Sequence, residues 1–198
     1  MPYSAEHKNA TRARIIEAAR ILFNKHGFER VTIDEVMRAA GLTRGGFYHH
    51  FRDKEQLYGE AVASFLMGRG AQWRAEAGVD PQHATSETAR RMVISYLSDE
   101  HLGDLESQCP MIALPSDIAR ADTPAREAYL ALLEAMVGLF EHCLGDRNEA
   151  ARKHALSLAV LCVGGMVLAR TLPDSPLVSE IREAALEQAL RVAAPIAS

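Results

Sequence analysis

The most informative part of the sequence is the stretch Thr32–Lys54, TIDEVMRAAGLTRGGFYHHFRDK. Thr32 with Glu35 three residues later is a capping box, which predicts the start of a helix. Gly41 predicts the end of that helix, because glycine accepts the left-handed backbone common at helix C-termini. Thr43 is a candidate cap for a second helix. Two helices joined by a short turn containing glycine are typical of proteins that place the second helix in a DNA major groove.

The second helix carries residues suited to contacting DNA. Arg44 is the predicted base contact, because arginine can donate two hydrogen bonds to guanine. Gly45 and Gly46 are poor helix formers, but they would let the backbone approach the groove wall closely. Phe47 and Phe51 are predicted to be core anchors. The predicted DNA-binding residues are Thr32, Thr43, Arg44, Gly45, Gly46, Tyr48, His49, His50 and Lys54.

The segment from about Ala10 to Tyr58 resembles the DNA-binding domain of TetR-type (TetR/AcrR) transcriptional regulators. One pattern within it is more specific than a generic helix-turn-helix: a tyrosine, a phenylalanine and a lysine spaced three residues apart, at Tyr48, Phe51 and Lys54. The resemblance implies that Tyr48, His50 and Lys54 contact phosphates. The matching residues are Ile15, Ala18, Ala19, Phe23, Gly27, Thr32, Ile33, Ala39, Gly41, Leu42, Tyr48, His50, Phe51, Lys54, Glu55 and Leu57.

Composition indicates a globular, all-α protein. The 198 residues are 48% hydrophobic and 24% charged, and alanine and leucine dominate the second half. The net charge of −4 is unevenly distributed, because residues 1–58 hold ten Lys and Arg against seven Asp and Glu. A basic N-terminal segment on an acidic body suits a DNA contact confined to one end.

Helical periodicity and caps predict about nine helices and no strand. A helix-turn-helix DNA-binding domain is expected at residues 8–58, with its reader motif at about 32–51. A helical effector-binding and dimerisation domain is expected at 59–198. Outside the reader motif, the predicted helices span about 11–26, 54–76, 84–97, 110–121, 123–144, 148–172 and 176–193, with a polar loop at 98–107.

The chain is expected to be cytoplasmic. Its first residues are polar and predict no signal peptide. The uncharged run 155–169 is shorter than the ~20 residues that a membrane span needs, so a buried helix is expected. Three cysteines without metal-ligand spacing favour a reducing compartment, and no metal or cofactor is predicted.

The second domain is predicted to bind a small apolar or amphipathic effector, an interpretation that the family resemblance favours over plain core packing. Cys109 precedes Pro110 at a predicted helix start, where a thiol pKa is lowered. It is therefore either a structural cap or a sensor of electrophiles or oxidants. The candidate pocket residues are Met67, Trp73, Met92, Tyr96, Cys109, Met111, Tyr129, Met136, Phe140 and Met166.

The last two helices are predicted to form a homodimer interface, because small and apolar residues recur along them and resemble the family's four-helix interface. Packing within one chain is the alternative. The candidate interface residues are Ala159, Gly164, Gly165, Ala169, Ile181, Ala185, Leu186 and Ala189.

These features predict a ligand-responsive regulator, more readily a repressor than an activator, which binds a near-palindromic double-stranded operator and is not an enzyme. One alternative is a constitutive DNA-binding protein without an effector. Another is a cysteine-dependent enzyme that pairs Cys109 with His101 or His142, although no catalytic motif supports it. The residues Asp99, Glu100, His101, Asp104 and Glu106 are interpreted as a solvated loop rather than a metal site.

Overall fold

The computed structural model describes residues 5–145 and 148–194, and these residues are all-helical, as predicted. They form eleven α-helices and two 3-10 helices, at Arg44–His49 and Pro81–His83. The α-helices are α1 (Ala5–His26), α2 (Ile33–Ala39), α3 (Lys54–Met67), α4 (Arg69–Glu76), α5 (Ser86–Tyr96), α6 (Asp99–Gly103), α7 (Pro110–Ala113), α8 (Pro115–Arg120), α9 (Thr123–Cys143), α10 (Glu149–Thr171) and α11 (Pro176–Val192).

The described residues form more helices than the predicted number of about nine, because two predicted helices are broken and because α6 and the 3-10 helix Pro81–His83 were not predicted. The predicted helix 54–76 is interrupted at Gly68, where a Cβ atom would lie 2.7 Å from the carbonyl oxygen of Ser64. The predicted helix 110–121 is interrupted at Pro115, which begins α8. Proline lacks the N–H that a continuous helix would use at that position.

Two further differences are local. The segment 98–107 was predicted to be a loop, but Asp99–Gly103 within it forms α6. Ser98 caps this helix by accepting a hydrogen bond from the backbone N–H of His101 at 3.1 Å. The second helix of the reader motif is a 3-10 helix rather than an α-helix. Helix α1 begins at Ala5, about six residues before its predicted start.

The chain divides into two compact units. One comprises the residues up to Gly68 together with Leu105–Leu130, and the other comprises Arg69–Asp104 together with the residues from Ala131 onward. The first unit therefore contains the predicted reader motif and a later segment of the chain. The predicted domain boundary between residues 58 and 59 stays a prediction.

The first unit is built around α1, which packs against α2, α3 and α7. Ile15, Ala19 and Phe23 form its buried stripe, as the helical spacing predicts. The ring of Phe23 meets that of Tyr58 edge-on at 5.0 Å between centroids. Asn24 adds a long-range hydrogen bond. Its side-chain amide donates at 2.7 Å to a backbone carbonyl 84 residues further along the chain.

The second unit is built around α10 and α11, which pack along each other and against α5. Gly165 allows close packing, because a Cβ atom there would lie 2.9 Å from the Cβ of Ala185. The buried guanidinium of Arg182 donates to the carbonyl of Leu97 at 2.8 Å and pairs with the carboxylate of Asp99. This unit therefore has its own apolar and polar core.

Helix α10 is the one helix in the described ranges that is long and apolar enough to cross a membrane, with a mean hydropathy of 1.5. Core helices of soluble proteins meet the same criterion. One face of α10 packs against α11 and α5, and its opposite face exposes apolar residues.

Candidate nucleic-acid interface

Helix α2 begins as the capping box predicts. The hydroxyl of Thr32 accepts a hydrogen bond from the backbone N–H of Glu35 at 3.2 Å, and the Glu35 carboxylate accepts from the backbone N–H of Thr32 at 2.8 Å. The Glu35 carboxylate also accepts from the Thr32 hydroxyl at 2.8 Å, and the two hydrogen bonds that Thr32 donates to the carboxylate lower the pKa of Glu35. The helix ends at a turn in which Gly41 has a φ of 69°, the left-handed conformation expected of glycine there.

The 3-10 helix Arg44–His49 follows this turn directly. Thr43 precedes it in an extended conformation, but its side chain makes no capping hydrogen bond, so the predicted cap is wrong. A Cβ atom at Gly45 would meet nothing within 4 Å, and one at Gly46 would touch only the Met37 side chain at 3.5 Å. Packing within the chain therefore does not require glycine at either position, whereas close approach to DNA would.

Two phenylalanines anchor the 3-10 helix. Phe47 and Phe51 are fully buried, as predicted, with ring centroids 5.6 Å apart. The guanidinium of Arg12 on α1 lies 4.5 Å from the Phe51 ring centroid. Tyr48 lies between the two anchors in sequence and is 61% exposed. Tyr48 is therefore exposed to solvent on a helix that two buried phenylalanine rings hold in place.

Arg44 is exposed and paired with an acidic residue. Its guanidinium donates to the carboxylate of Asp34 at 3.1 Å. Asp34 lies in the first turn of α2, so the pair connects the two helices of the reader motif. Exposed ion pairs contribute only about 0–1 kcal/mol. A guanine base can therefore compete with Asp34 for the guanidinium.

A basic cleft of about 430 Å³ lies beside the 3-10 helix. No acidic residue lines it, and four of its residues come from the first turns of α1. Its lining residues are His7, Lys8, Thr11, Arg14, Leu42, Gly46, His49 and His50. The sequence did not indicate that α1 lines this cleft, although Lys8 and Arg14 belong to the basic N-terminal segment.

His50 faces this cleft with an unsatisfied ring nitrogen. Its Nδ1 atom is buried and has no hydrogen-bond partner among the described residues. Burial lowers the pKa of His50, and the nearby charges of Lys8, Arg12 and His49 lower it further. The negative charge of a phosphate in the cleft would counteract the positive charges of Lys8, Arg12 and His49. The phosphate would also supply a hydrogen-bond acceptor for the His50 ring. His49 is exposed on the same cleft.

Lys54 begins α3, where the helix dipole disfavours a cation. Its Nζ atom lies 4.1 Å from the centroid of the Phe28 ring, a cation–π contact that the sequence did not predict. Asp53 caps α3 by accepting from the backbone N–H of Gln56 at 2.7 Å. The ring of Phe28 therefore positions the Lys54 ammonium in the free protein.

The predicted effector residues are divided between the two units. Met67, Cys109, Met111 and Tyr129 belong to the first, and Met67 is 81% exposed. The hydroxyl of Tyr129 donates to the Met111 carbonyl at 3.3 Å. The second unit contains Trp73, Met92, Tyr96, Met136, Phe140 and Met166. All of these except Trp73 are buried. The effector pocket stays a prediction.

His101 is buried rather than solvated. Its ring stacks on that of Trp73 at 5.2 Å between centroids, and its Nδ1 lies 2.8 Å from the carbonyl oxygen of Tyr96. Burial lowers the pKa of His101. Among the described residues, no three His, Cys, Asp or Glu side chains converge on a potential metal site.

Cys109, Cys143 and Cys162 are buried and are thiols rather than disulfides. Cys109 precedes α7 as its N-cap residue but makes no side-chain capping bond, and α7 has only four residues. Burial raises the pKa of Cys143 to about 11 and also raises that of Cys162. Neither of those two thiols is activated as a nucleophile.

Several predicted interface residues already pack within the chain. Ala159, Gly165, Ala169, Ala185 and Ala189 are buried, while Gly164, Ile181 and Leu186 are partly exposed. Helix α10 also exposes apolar side chains four and eight residues apart, which place them on one face. These are Leu156, Val160 and Leu168, exposed by 43%, 69% and 55%. The dimer stays a prediction, and this exposed face is its structural support.

The comparisons with known proteins agree with this geometry. Residues 15–61 match the family described as bacterial regulatory proteins, tetR family. Over 55 residues the chain is 38% identical to the HTH-type transcriptional repressor Rv1474c of Mycobacterium tuberculosis. The matched segment covers 28% of this chain and 29% of that protein. The chain spans less than a third of the length of the curated relatives it matches.

Solved structures match over nearly the whole chain. A TetR-family transcriptional regulator from Streptomyces coelicolor matches with a TM-score of 0.70 and 25% identity, over 96% of this chain and 95% of that one. The reduced form of Escherichia coli NemR matches with a TM-score of 0.72 and 18% identity, over 96% and 100%. The fold and the reader motif define a helix-turn-helix protein. Residues 15–61 match the tetR family, and the described fold is similar to that of a TetR-type regulator over nearly the whole chain.

Proposed function

We propose that the protein is a transcriptional regulator that binds a specific double-stranded operator. The observation that carries this proposal is the pairing of an exposed reader helix with a basic cleft. Arg44 and Tyr48 project from a helix anchored by two buried phenylalanines, and the cleft beside it has no acidic lining. Base contacts provide specificity and phosphate contacts provide position and affinity.

The proposed active form is a cytoplasmic homodimer on a near-palindromic operator. A single short reader helix contacts few base pairs, so two copies related by a two-fold axis would double the contact. The exposed apolar face of α10, with Leu177 at the start of α11, supplies a self-complementary surface. Two helices from each copy would then form a four-helix interface.

We further propose that a small-molecule effector releases the operator, so that the protein acts as a repressor. Such an effector must bind more tightly to the form that does not bind DNA, because a ligand with equal affinity for both forms shifts nothing. The buried aromatic and methionine side chains of the second unit support an apolar or amphipathic effector. Binding, rather than catalysis, is the proposed activity.

The test is a selection of genomic fragments by the purified full-length chain. Bound fragments would be sequenced and compared with those selected by a variant in which Arg44 and Tyr48 are both alanine. We expect the natural protein to enrich a few near-palindromic sites and the variant to enrich none of them. Uniform recovery of fragments by both proteins would contradict the proposal.

A further inference from the structure

Asp117, in the first turn of α8, makes a long-range contact with the turn that follows α1. Its carboxylate accepts a hydrogen bond from the backbone N–H of Phe28 at 2.9 Å, across 89 residues of sequence. The other carboxylate oxygen accepts from Arg120 at 3.2 Å. All three residues belong to the first unit. Because a hydrogen bond to a charged acceptor is stronger than one between neutral groups, Asp117 holds the Phe28 backbone firmly.

The turn after α1 is shaped to admit this carboxylate. Gly27 has a φ of 78°, a left-handed conformation that favours glycine. A Cβ atom on Gly27 would lie 2.8 Å from Oδ2 of Asp117, the same oxygen that accepts from Phe28. A side chain at residue 27 would therefore displace the carboxylate from its hydrogen-bond partner.

The side chain of Phe28 extends this contact to Lys54. The centroid of its ring lies 4.8 Å from that of Tyr58 and 5.9 Å from that of Phe23. The Nζ atom of Lys54 lies 4.1 Å from the Phe28 ring centroid. A continuous path of direct contacts therefore leads from the Asp117 carboxylate through Phe28 to the Lys54 ammonium.

We propose that Asp117 is a positioning residue for the phosphate contact of Lys54, an inference that rests on the proposed DNA-binding function. Asp117 holds the Phe28 backbone, and the Phe28 ring holds the ammonium. An ammonium has three N–H donors, so Lys54 can keep the ring contact on one side and still donate to a phosphate. A lysine side chain that is already restricted loses less conformational entropy when it binds DNA.

The alternative is that Asp117 only stabilises the fold of the first unit. The two roles differ in how they depend on Lys54. A purely structural carboxylate affects DNA binding equally whether residue 54 is lysine or alanine. A positioning carboxylate affects DNA binding only while the lysine is present, because two residues that act through one contact are energetically coupled.

The first test examines Lys54 in the free protein by NMR. The chain has four lysines, so a sample labelled at the lysine Cε atom gives few signals, and Lys54→Ala assigns the one of interest. We expect the Phe28 ring to shift the Lys54 signal upfield. Asp117→Ala should reduce this shift, and Asp117→Asn, which keeps an acceptor for the Phe28 N–H, should restore most of it. If Asp117→Ala leaves the Lys54 signal where it is in the natural protein, the proposal is wrong.

The second test measures DNA affinity by fluorescence titration in a double-mutant cycle. Asp117→Ala should weaken binding of specific and non-specific duplexes alike, by about two- to tenfold, as expected for the lost restriction of one side chain. The same change should have no effect in a Lys54→Ala background. Phe28→Leu keeps the hydrogen bond to Asp117 but removes the ring, so it should weaken binding similarly. It also decides the outcome if Asp117→Ala loses helix content by circular dichroism.

Asp122→Asn is the matched control, because Asp122 is an exposed acid two residues after α8 and the change removes the same charge as Asp117→Asn. It should leave the Lys54 signal and the coupling unchanged. Tighter DNA binding by Phe28→Leu would overturn the proposal, since the ring would then compete with the phosphate. An equal effect of Asp117→Ala with and without Lys54 would show a structural role only. If Lys54→Ala itself binds DNA as well as the natural protein, the phosphate contact of Lys54 fails as well.

Discussion

The guanidinium of Arg44 lies 3.1 Å from the carboxylate of Asp34, so the proposed base contact is tethered to α2 in the free protein. Both side chains are largely exposed, and the ion pair is therefore weak. In a DNA complex in which Arg44 contacts a base, this pair would already have restricted the arginine side chain and would reduce the side-chain entropy lost on binding. Asp34 thus positions Arg44 without competing strongly with a guanine.

Lys54→Ala should weaken binding to all DNA sequences alike. Removing one phosphate contact should also reduce the slope of log affinity against log salt by about one. The measurement is a fluorescence titration across salt concentrations with specific and non-specific duplexes. Because Lys54 lies over Phe28, the variant also loses a cation–π contact of about 0.5–1 kcal/mol, which thermal unfolding would detect.

Phe28→Leu is the control for Lys54. It removes the aromatic ring but keeps the ammonium, so it should change stability more than the salt slope. If Lys54→Ala leaves the salt slope unaltered while Phe28→Leu lowers stability, the lysine is structural and its assignment to phosphate is wrong.

Operator affinity should rise as the pH falls from about 8 to 5. The pKa of His50 is lowered in the free protein, and a phosphate in the basic cleft would raise it, so binding takes up a proton. Folding stability has the opposite slope. The unfolded chain binds a proton at His50 more readily, so stability is full above the ordinary histidine pKa and decreases below it.

His50→Gln should flatten the dependence of affinity on pH, measured by anisotropy at constant ionic strength. His49→Gln is the companion variant, since His49 is more exposed on the same cleft, and it should leave most of the slope in place. An unchanged slope in His50→Gln would show that the imidazole does not face a phosphate.

Local rules predicted much of the reader motif. Thr32 with Glu35 and Asp53 with Gln56 are caps formed within three residues, so the sequence determines them directly. Gly41 was likewise predictable from the left-handed turn it occupies. The burial of the anchors Phe47 and Phe51 could be predicted from the size of these residues and their spacing along the chain.

Long-range contacts were not predictable in this way. The tie from Asn24 to the Gln108 carbonyl spans 84 residues, and no local pattern indicates it. The burial of His101 depends on the ring of Trp73, which belongs to another helix. The break at Gly68 was not predictable either, because the short distance of 2.7 Å between an added Cβ atom and the Ser64 carbonyl oxygen exists only in the folded backbone. These contacts depend on the tertiary arrangement.

Val160→Glu should convert the proposed dimer to a monomer without loss of helix content. Val160 is 69% exposed on the free face of α10, so the change would bury a charge only against a partner. Gly165→Glu is unsuitable, because Gly165 packs against Ala185 within the chain. Sedimentation equilibrium and circular dichroism would measure the two properties.

Ala131→Glu on α9 serves as the matched control, since Ala131 is exposed outside α10 and α11. It should leave the dimer intact. A natural protein that is monomeric at micromolar concentration would contradict the proposed interface outright.

An effector and the operator should weaken each other's binding by the same factor, as thermodynamic linkage requires. A covalent signal through Cys109 is the competing route. Cys109→Ser should abolish release by electrophiles but leave the effect of a reversible ligand nearly intact. Cys162→Ser is the control thiol, because burial raises its pKa and leaves it inert. If neither compounds nor thiol reagents release the operator, the protein is a constitutive DNA-binding regulator.

The central claim is that Arg44 contacts a base in a specific operator. The most direct measurement compares the affinity for the selected operator with that for a scrambled duplex, in the natural protein, Arg44→Ala and Asp34→Asn. We predict that Arg44→Ala loses about 1–3 kcal/mol of discrimination at one base pair per half-site. Asp34→Asn should retain discrimination, because the arginine remains. Equal loss of affinity for both duplexes in Arg44→Ala, with discrimination unchanged, would contradict the account.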